Sequence, residues 1–126
     1  MPKQTLKLLE DKFAIHSFAE DEAIPTQVFQ APIFFIGKTY EELSIVCPEA
    51  LELNSIERED GWVAYEVMGP LAFSMTGIMS QISGVLADAN ISIFAISTFD
   101  TDYILVKQEM VSKATNSLKK SGYKVV

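Results

Sequence analysis

Leu86-Ala87-Asp88-Ala89-Asn90-Ile91-Ser92-Ile93-Phe94-Ala95-Ile96-Ser97-Thr98-Phe99-Asp100-Thr101-Asp102-Tyr103-Ile104-Leu105-Val106-Lys107 closes one helix and then builds one hairpin. Upstream of it and into it, Ile78, Ile82, Val85, Leu86 and Ala89 recur at three- and four-residue spacing, while Ser80, Gln81, Ser83 and Asp88 fall elsewhere. That is the apolar stripe of an amphipathic helix. Asn90 is placed to stop it, because asparagine tolerates a left-handed backbone better than most residues. β-Branched and aromatic side chains then dominate Ile91 to Phe99 and Asp102 to Lys107, and the polar step Asp100-Thr101 supplies the turn between two strands.

Working outward, Trp62 to Met68 reads as a strand with Val63, Tyr65 and Val67 on one face, interrupted at Gly69-Pro70 because proline withholds the ladder N–H. Gly77 precedes the helix. After the hairpin, Ser112 is positioned to cap a short helix with Ala114 and Leu118 facing inward, Gly122 ends it, and Tyr123 to Val126 offers a last strand. The order is β-α-β-β-α-β, the split arrangement of an α+β ferredoxin-like fold: an antiparallel sheet with helices on one face. Both faces of the hairpin are apolar, with Ile91, Ile93 and Ala95 on one side and Phe94 and Ile96 on the other. A sheet covered on one side only shows one polar face, so a further layer is expected, from the N-terminal half or from a second copy of the chain.

The N-terminal half is a blurred echo of the C-terminal half. Phe13 to Phe18, Pro32 to Gly37 and Leu43 to Cys47 resemble strands, and a shift of sixty positions superposes Ile36 on Ile96, Val46 on Val106 and Glu49 on Glu109. The same shift lays Lys38 to Glu42 on Thr98 to Asp102, a polar turn on a polar turn. Ala19 to Gln30 holds Pro25 and few helix-spaced apolar residues, so any helix there is short or degraded. Two halves are expected, a degenerate one over residues 1–61 and a complete one over 62–126, joined by Glu57-Arg58-Glu59-Asp60-Gly61 as a solvated connector.

With 126 residues, 48% of them hydrophobic, the chain has enough for a real core. A net charge of −7 and no clustered basic face argue against a grip on nucleic acid. One cysteine, Cys47, and one histidine, His16, leave neither an intramolecular disulfide nor a Cys/His metal site, which suits a reducing cytoplasm. Cys47 reads as a small buried hydrophobe, Trp62 as packing, and His16 as a packed or surface histidine without a catalytic neighbour. There is no signal-peptide pattern and no apolar run of about 18 residues, so a cytoplasmic, unprocessed protein without a membrane partner is expected. No Ser/His/Asp set, phosphate loop or metal-ligand cluster stands out, so no catalysis, no cofactor and no metal are expected.

Gly69-Pro70-Leu71-Ala72-Phe73-Ser74-Met75-Thr76-Gly77-Ile78, Leu86 to Ile93 and Ser97 to Val106 together resemble ACT domains. The chain is similar to short tandem-ACT bacterial proteins related to the CASTOR arginine sensors, and more distantly to the ACT pairs of aspartate kinases; Thr39 to Pro48 looks like the first half of those short proteins. The resemblance implies a regulatory protein that binds a free amino acid and places its effector between halves or subunits, so that binding and assembly are linked; the sheet edges and two-sided apolar strands imply a homodimer. A zwitterion needs donors for its carboxylate and acceptors for its ammonium. Thr76, Gly77 and Ile78, at a helix N-terminus with free N–H groups, are candidates for the first role. Ser97 and Thr98 are further donors, and Asp100 and Asp102 are candidate acceptors, against the alternatives that the hydroxyls merely pair across the strands and the aspartates merely hydrogen-bond the local backbone. A ligand-free interaction module dimerising through its sheet, and a small enzyme on the same scaffold, remain as alternatives.

Overall fold

Asn90 adopts φ 60°, the left-handed conformation expected of it, and its N–H bonds Ala87 O at 2.9 Å to close the helix α1, Ile78–Asp88. The computed structural model describes residues 3–68 and 77–126; the break expected at Gly69-Pro70 and the candidate Thr76 lie outside them. The chain forms β1 (Thr5–Phe18), a 3₁₀ turn at Thr26–Gln30, β2 (Phe35–Lys38), β3 (Leu43–Pro48), β4 (Glu57–Val67) and α1, followed by β5 (Phe94–Ser97), β6 (Asp102–Lys107), a 3₁₀ turn at Gln108–Met110, α2 (Val111–Lys120) and β7 (Lys124–Val125). Two compact units result, one from Asp11–Trp62 and one from Val63–Val126 with the chain up to Glu10. β1 and β4, 14 and 11 residues long, each give a segment to both.

In the Val63–Val126 unit the element order from β4 onward is β-α-β-β-α-β, as expected. Its core gathers Leu6, Tyr65, Val67, Ile82, Leu86, Ile104, Val106, Ala114 and Leu118, with the periodic positions of α1 and α2 turned onto the sheet. The other sheet face is also apolar: Leu105 is fully buried, and Phe94 opposite it is half-buried. The buried Tyr65 hydroxyl bonds Thr115 Oγ1 at 2.7 Å and donates to Val111 O at 3.2 Å, tying β4 to the first turns of α2. Tyr65→Phe should therefore cost about 0.5–1.5 kcal/mol, read as a lower urea midpoint with an unchanged m-value.

Four expectations need correction here. The sheet is not wholly antiparallel. The strand order in this unit is β7-β1-β4-β6-β5, and β7 runs parallel to β1 in the register Thr5↔Lys124 and Leu6↔Val125. The first segment of β1 takes this place because Leu6 is fully buried in the core, while Met68 N–H bonds Thr5 O at 2.8 Å. Second, the hairpin's first strand begins only at Phe94, after an irregular link from Ile91 to Ile93. Third, Ser112 makes no cap: α2 starts at Val111, straight out of the preceding 3₁₀ turn, and Ser112 lies exposed inside it. Fourth, Glu57 to Gly61 is not a connector but the start of β4. Gly61, at φ 80°, provides a kink within that strand that a side-chain-bearing residue would resist.

In the Asp11–Trp62 unit the order is β2-β3-β1-β4, with β1 and β3 antiparallel from Phe13↔Pro48 to Phe18↔Leu43. The segment Ala19 to Gln30 holds only the short 3₁₀ turn, as Pro25 suggested. A cluster of Phe18, Val28, Leu43, Ile45 and Cys47 covers one sheet face.

Candidate functional site

The β5–β6 turn closes at the pair Ser97↔Asp102 and contains Thr98, Phe99, Asp100 and Thr101. Thr98 folds it: its N–H bonds Thr101 O at 2.8 Å, and its hydroxyl accepts from Thr101 N–H at 3.2 Å. Ser97 Oγ donates to Asp102 Oδ1 at 2.5 Å. The four candidate residues of the hairpin thus come together, and Asp100 is exposed at the tip. Local bonding engages Ser97, Thr98 and Asp102; an arriving ammonium would share or displace the Ser97 donor.

The β2–β3 turn is built identically. Thr39 N–H bonds Glu42 O at 2.9 Å, the Thr39 hydroxyl accepts from Glu42 N–H at 3.1 Å, and the closing pair is Lys38↔Leu43. Ladder registers also coincide: Phe35↔Val46 in the first hairpin corresponds to Phe94↔Leu105 in the second, each residue displaced by 59 positions. The sixty-position echo is therefore one residue out of register for the hairpins. Each turn carries an exposed aromatic next to its threonine, Tyr40 at 101% and Phe99 at 80% relative exposure.

Gly77 caps α1 at φ 79°, ψ 0°, and Gln81 N–H bonds its carbonyl at 2.9 Å. No acidic residue occupies the first turn of α1, so none of its own carboxylates there neutralises the positive end of the helix dipole. A Cβ on Gly77 would meet only Gln81 Nε2, at 3.8 Å; backbone conformation, rather than crowding within the described residues, is the local reason for glycine. Gly77 and Ile78 belong to the start of α1, and Ser97, Thr98, Asp100 and Asp102 to the hairpin turn.

The Asp11–Trp62 unit holds a polar cluster that sequence reasoning missed. Arg58, assigned to a connector, folds back from β4: Nη1 donates to Leu51 O at 3.0 Å, Nη2 donates to Glu49 O, and Nε pairs with Asp60. Glu49 in turn accepts from Gly61 N–H at 3.1 Å. A single arginine among five carboxylates between Glu49 and Asp60 was the available signal. His16 is fully buried, as the packed reading required, with Nδ1 2.9 Å from Ser55 Oγ. Burial, and secondarily the positive charge of Arg58, lower its pKa, while Asp60 and Glu52 oppose the shift. Burial raises the Cys47 thiol, which therefore stays a neutral core group. Among the described residues no group of three or more His, Cys, Asp or Glu side chains is arranged to hold a metal ion, and no helix is long and apolar enough to cross a membrane.

An antiparallel hairpin between two helices that pack on the sheet's core places the Val63–Val126 unit in the ferredoxin-like class. More narrowly, the ACT domain family matches residues 57–120, and the chain belongs to that family. It is 31% identical over 130 residues to the human cytosolic arginine sensor for mTORC1 subunit 1, an alignment covering 95% of this chain and 39% of that protein. A solved structure of a protein from Agrobacterium tumefaciens is 32% identical and superposes with a TM-score of 0.92, covering 100% of this chain and 94% of that one. The ligand-free regulatory subunit of aspartate kinase from Thermus thermophilus shares the fold at a TM-score of 0.65 and 12% identity, covering 92% of this chain and 96% of that one. The chain spans 60% and 39% of the length of two human relatives it matches.

Proposed function

We propose that this chain is a cytoplasmic amino-acid-binding regulator without catalysis of its own, built as two ACT-like halves of which the first is degenerate, and acting as a homodimer whose association responds to the ligand. The observation that carries the reading is membership of the ACT family together with 31% identity to a protein named as an arginine sensor. The candidate site is consistent with a zwitterion: Gly77 and Ile78 open a helix N-terminus, with Thr76 beside them in sequence, and Asp100 and Asp102 supply carboxylates for an ammonium or a basic side chain. A ligand held between copies would stabilise the assembled form by its differential affinity, so binding and assembly would be linked.

A panel of free amino acids in thermal unfolding tests this directly. A selective ligand about a hundredfold above its Kd should stabilise the protein by about 2.7 kcal/mol, and a flat panel would sink the sensor. For the ligand so identified, Asp102→Ala should weaken binding about tenfold or more, as expected when a charge-assisted hydrogen bond worth about 1.5–3 kcal/mol is lost; wild-type affinity in both Asp100→Ala and Asp102→Ala places the acceptor elsewhere. Gly77→Asn is a better probe of the helix start than Gly77→Val, since a β-branched residue at φ 79° strains the backbone whether or not a ligand approaches. One observation favours the ligand-free module: Ser97, Thr98 and Asp102 already satisfy one another or their own turn.

A further inference from the structure

Formal charge is divided very unevenly between the two units. Asp11–Trp62 holds eleven carboxylates against Lys12, Lys38 and Arg58, a charge of −8, whereas the remaining residues hold six carboxylates and seven lysines, a charge of +1. Within the second set, four exposed lysines are drawn to one end of the fold. Lys119 and Lys120 form the last turn of α2. Lys124 stands in β7 opposite Thr5. Lys3 reaches the turn between them: its Cδ lies 3.6 Å from where a Cβ on Gly122 would sit, and its ammonium lies 4.9 Å from the centre of the Tyr123 ring. The acidic residue flanking this helix, Glu109, precedes its opposite end, about 15 Å away at 1.5 Å per residue. Favourable interaction with the negative end of α2 accounts for Lys119 and Lys120, and a lysine on an edge strand discourages strand addition. The Tyr123 ring and the entry into β1 hold Lys3 on the same end.

The matching charge lies in the other unit. β1 and β3 end together at Phe18↔Leu43. The turn that follows Phe18 carries Glu20, Asp21 and Glu22, and the turn that precedes Leu43 carries Glu41 and Glu42, so the register puts both acidic turns at the same end of the strand pair. Two units of charge −8 repel one another, while either is attracted to the lysine surface, within a screening length of about 10 Å at 0.1 M salt.

We propose that the Lys3, Lys119, Lys120 and Lys124 surface docks a second copy of this chain through its acidic turns. Such a contact is heterologous: the two surfaces that meet are different, so it needs no symmetry axis through either one. It concerns assembly alone and holds whether or not an amino acid binds.

Charge-swapped variants of the whole chain test it by sedimentation. Wild type should associate at about 50 mM salt, with Kd rising about tenfold or more by about 500 mM. K119E/K120E/K124E and D21K/E22K/E41K, each confirmed as folded by circular dichroism, should each lose the salt-sensitive association alone. Mixed, they should recover it, because the intact acidic turns of the first meet the intact lysines of the second, and the two reversed surfaces meet likewise. Wild-type association with no salt-sensitive component, or a mixture of folded variants that does not regain that component, overturns the proposal. So does capture of the lysine surface by anionic phosphatidylserine vesicles with no self-association at low salt.

Discussion

Leu86→Ala is expected to lower stability by about 2–5 kcal/mol, a large part of the usual margin of about 5–15 kcal/mol. Leu86 is fully exposed to the core and not at all to solvent, on the inner stripe of α1, among Tyr65, Ile82, Ile104 and Leu118. Its truncation loses the transfer free energy of the removed carbons, and a cavity remains because neighbours on β4, β6 and α2 cannot all close in. Its N–H donor role in the helix is untouched, so the effect comes from packing. Tyr40→Ala is the control: Tyr40 is larger but fully exposed, and its loss should change stability by less than about 0.5 kcal/mol. Denaturant midpoints of both variants, with the m-value unchanged, decide it; a Leu86→Ala cost below about 1 kcal/mol would mean that α1 is not packed as described.

Acid is expected to weaken the Asp11–Trp62 unit in the histidine range. His16 has a pKa below 6.5 when folded and close to that value when unfolded, because burial removes the water that would solvate an imidazolium and Arg58 repels it. The proton therefore binds the unfolded chain better. The stability contributed by neutral His16 is fully present above pH about 6.5 and is lost as pH falls through the folded-state value, by up to about 1.4 kcal/mol for each unit that separates the two. The groups facing the ring pull in different directions: Arg58 deepens the shift, Asp60 and Glu52 soften it, and Ser55 holds Nδ1. His16→Gln, which cannot titrate, should flatten this part of the stability profile between pH about 7.5 and 5. An equally steep profile in wild type and variant would assign the acid sensitivity to other groups.

Legibility followed how each segment earns its place in the fold. The second half was readable because local signals agree with burial: the α1 stripe faces the core, Asn90 takes positive φ, and Ala114 and Leu118 are both buried. β1 was readable only from Phe13, since Leu8-Leu9 and the run Glu10-Asp11-Lys12 break the alternation by which a half-buried strand is recognised. Glu57 to Asp60 looked like solvent-facing loop, and a strand whose arginine is satisfied by carbonyls distant in sequence gives no periodic signal of that. The one-residue error in the internal echo has the same origin: three sparse identities cannot distinguish neighbouring registers, although a slip of one turns every side chain to the other face. At the candidate site, residue types suggested polar groups in the hairpin turn and a glycine at the helix start, and both are there. Their hydrogen bonds within the turn match the alternative that residues of these types bond locally.

The parallel pairing of Thr5 with Lys124 joins residues 119 positions apart in sequence. During synthesis, the Asp11–Trp62 stretch emerges as one continuous piece and can close on itself early, whereas the first segment of β1 waits for β7, more than a hundred residues further along. Contacts of such long sequence separation carry the largest loop-closure cost and form late. The Val63–Val126 unit is thus completed after the Asp11–Trp62 unit, and until then Leu6, destined for the core, has no apolar partner from β7 or α2. A nascent chain stalled before Tyr123 would present that strand edge to its surroundings, which makes Lys124–Val125 a folding checkpoint as well as an element of the sheet.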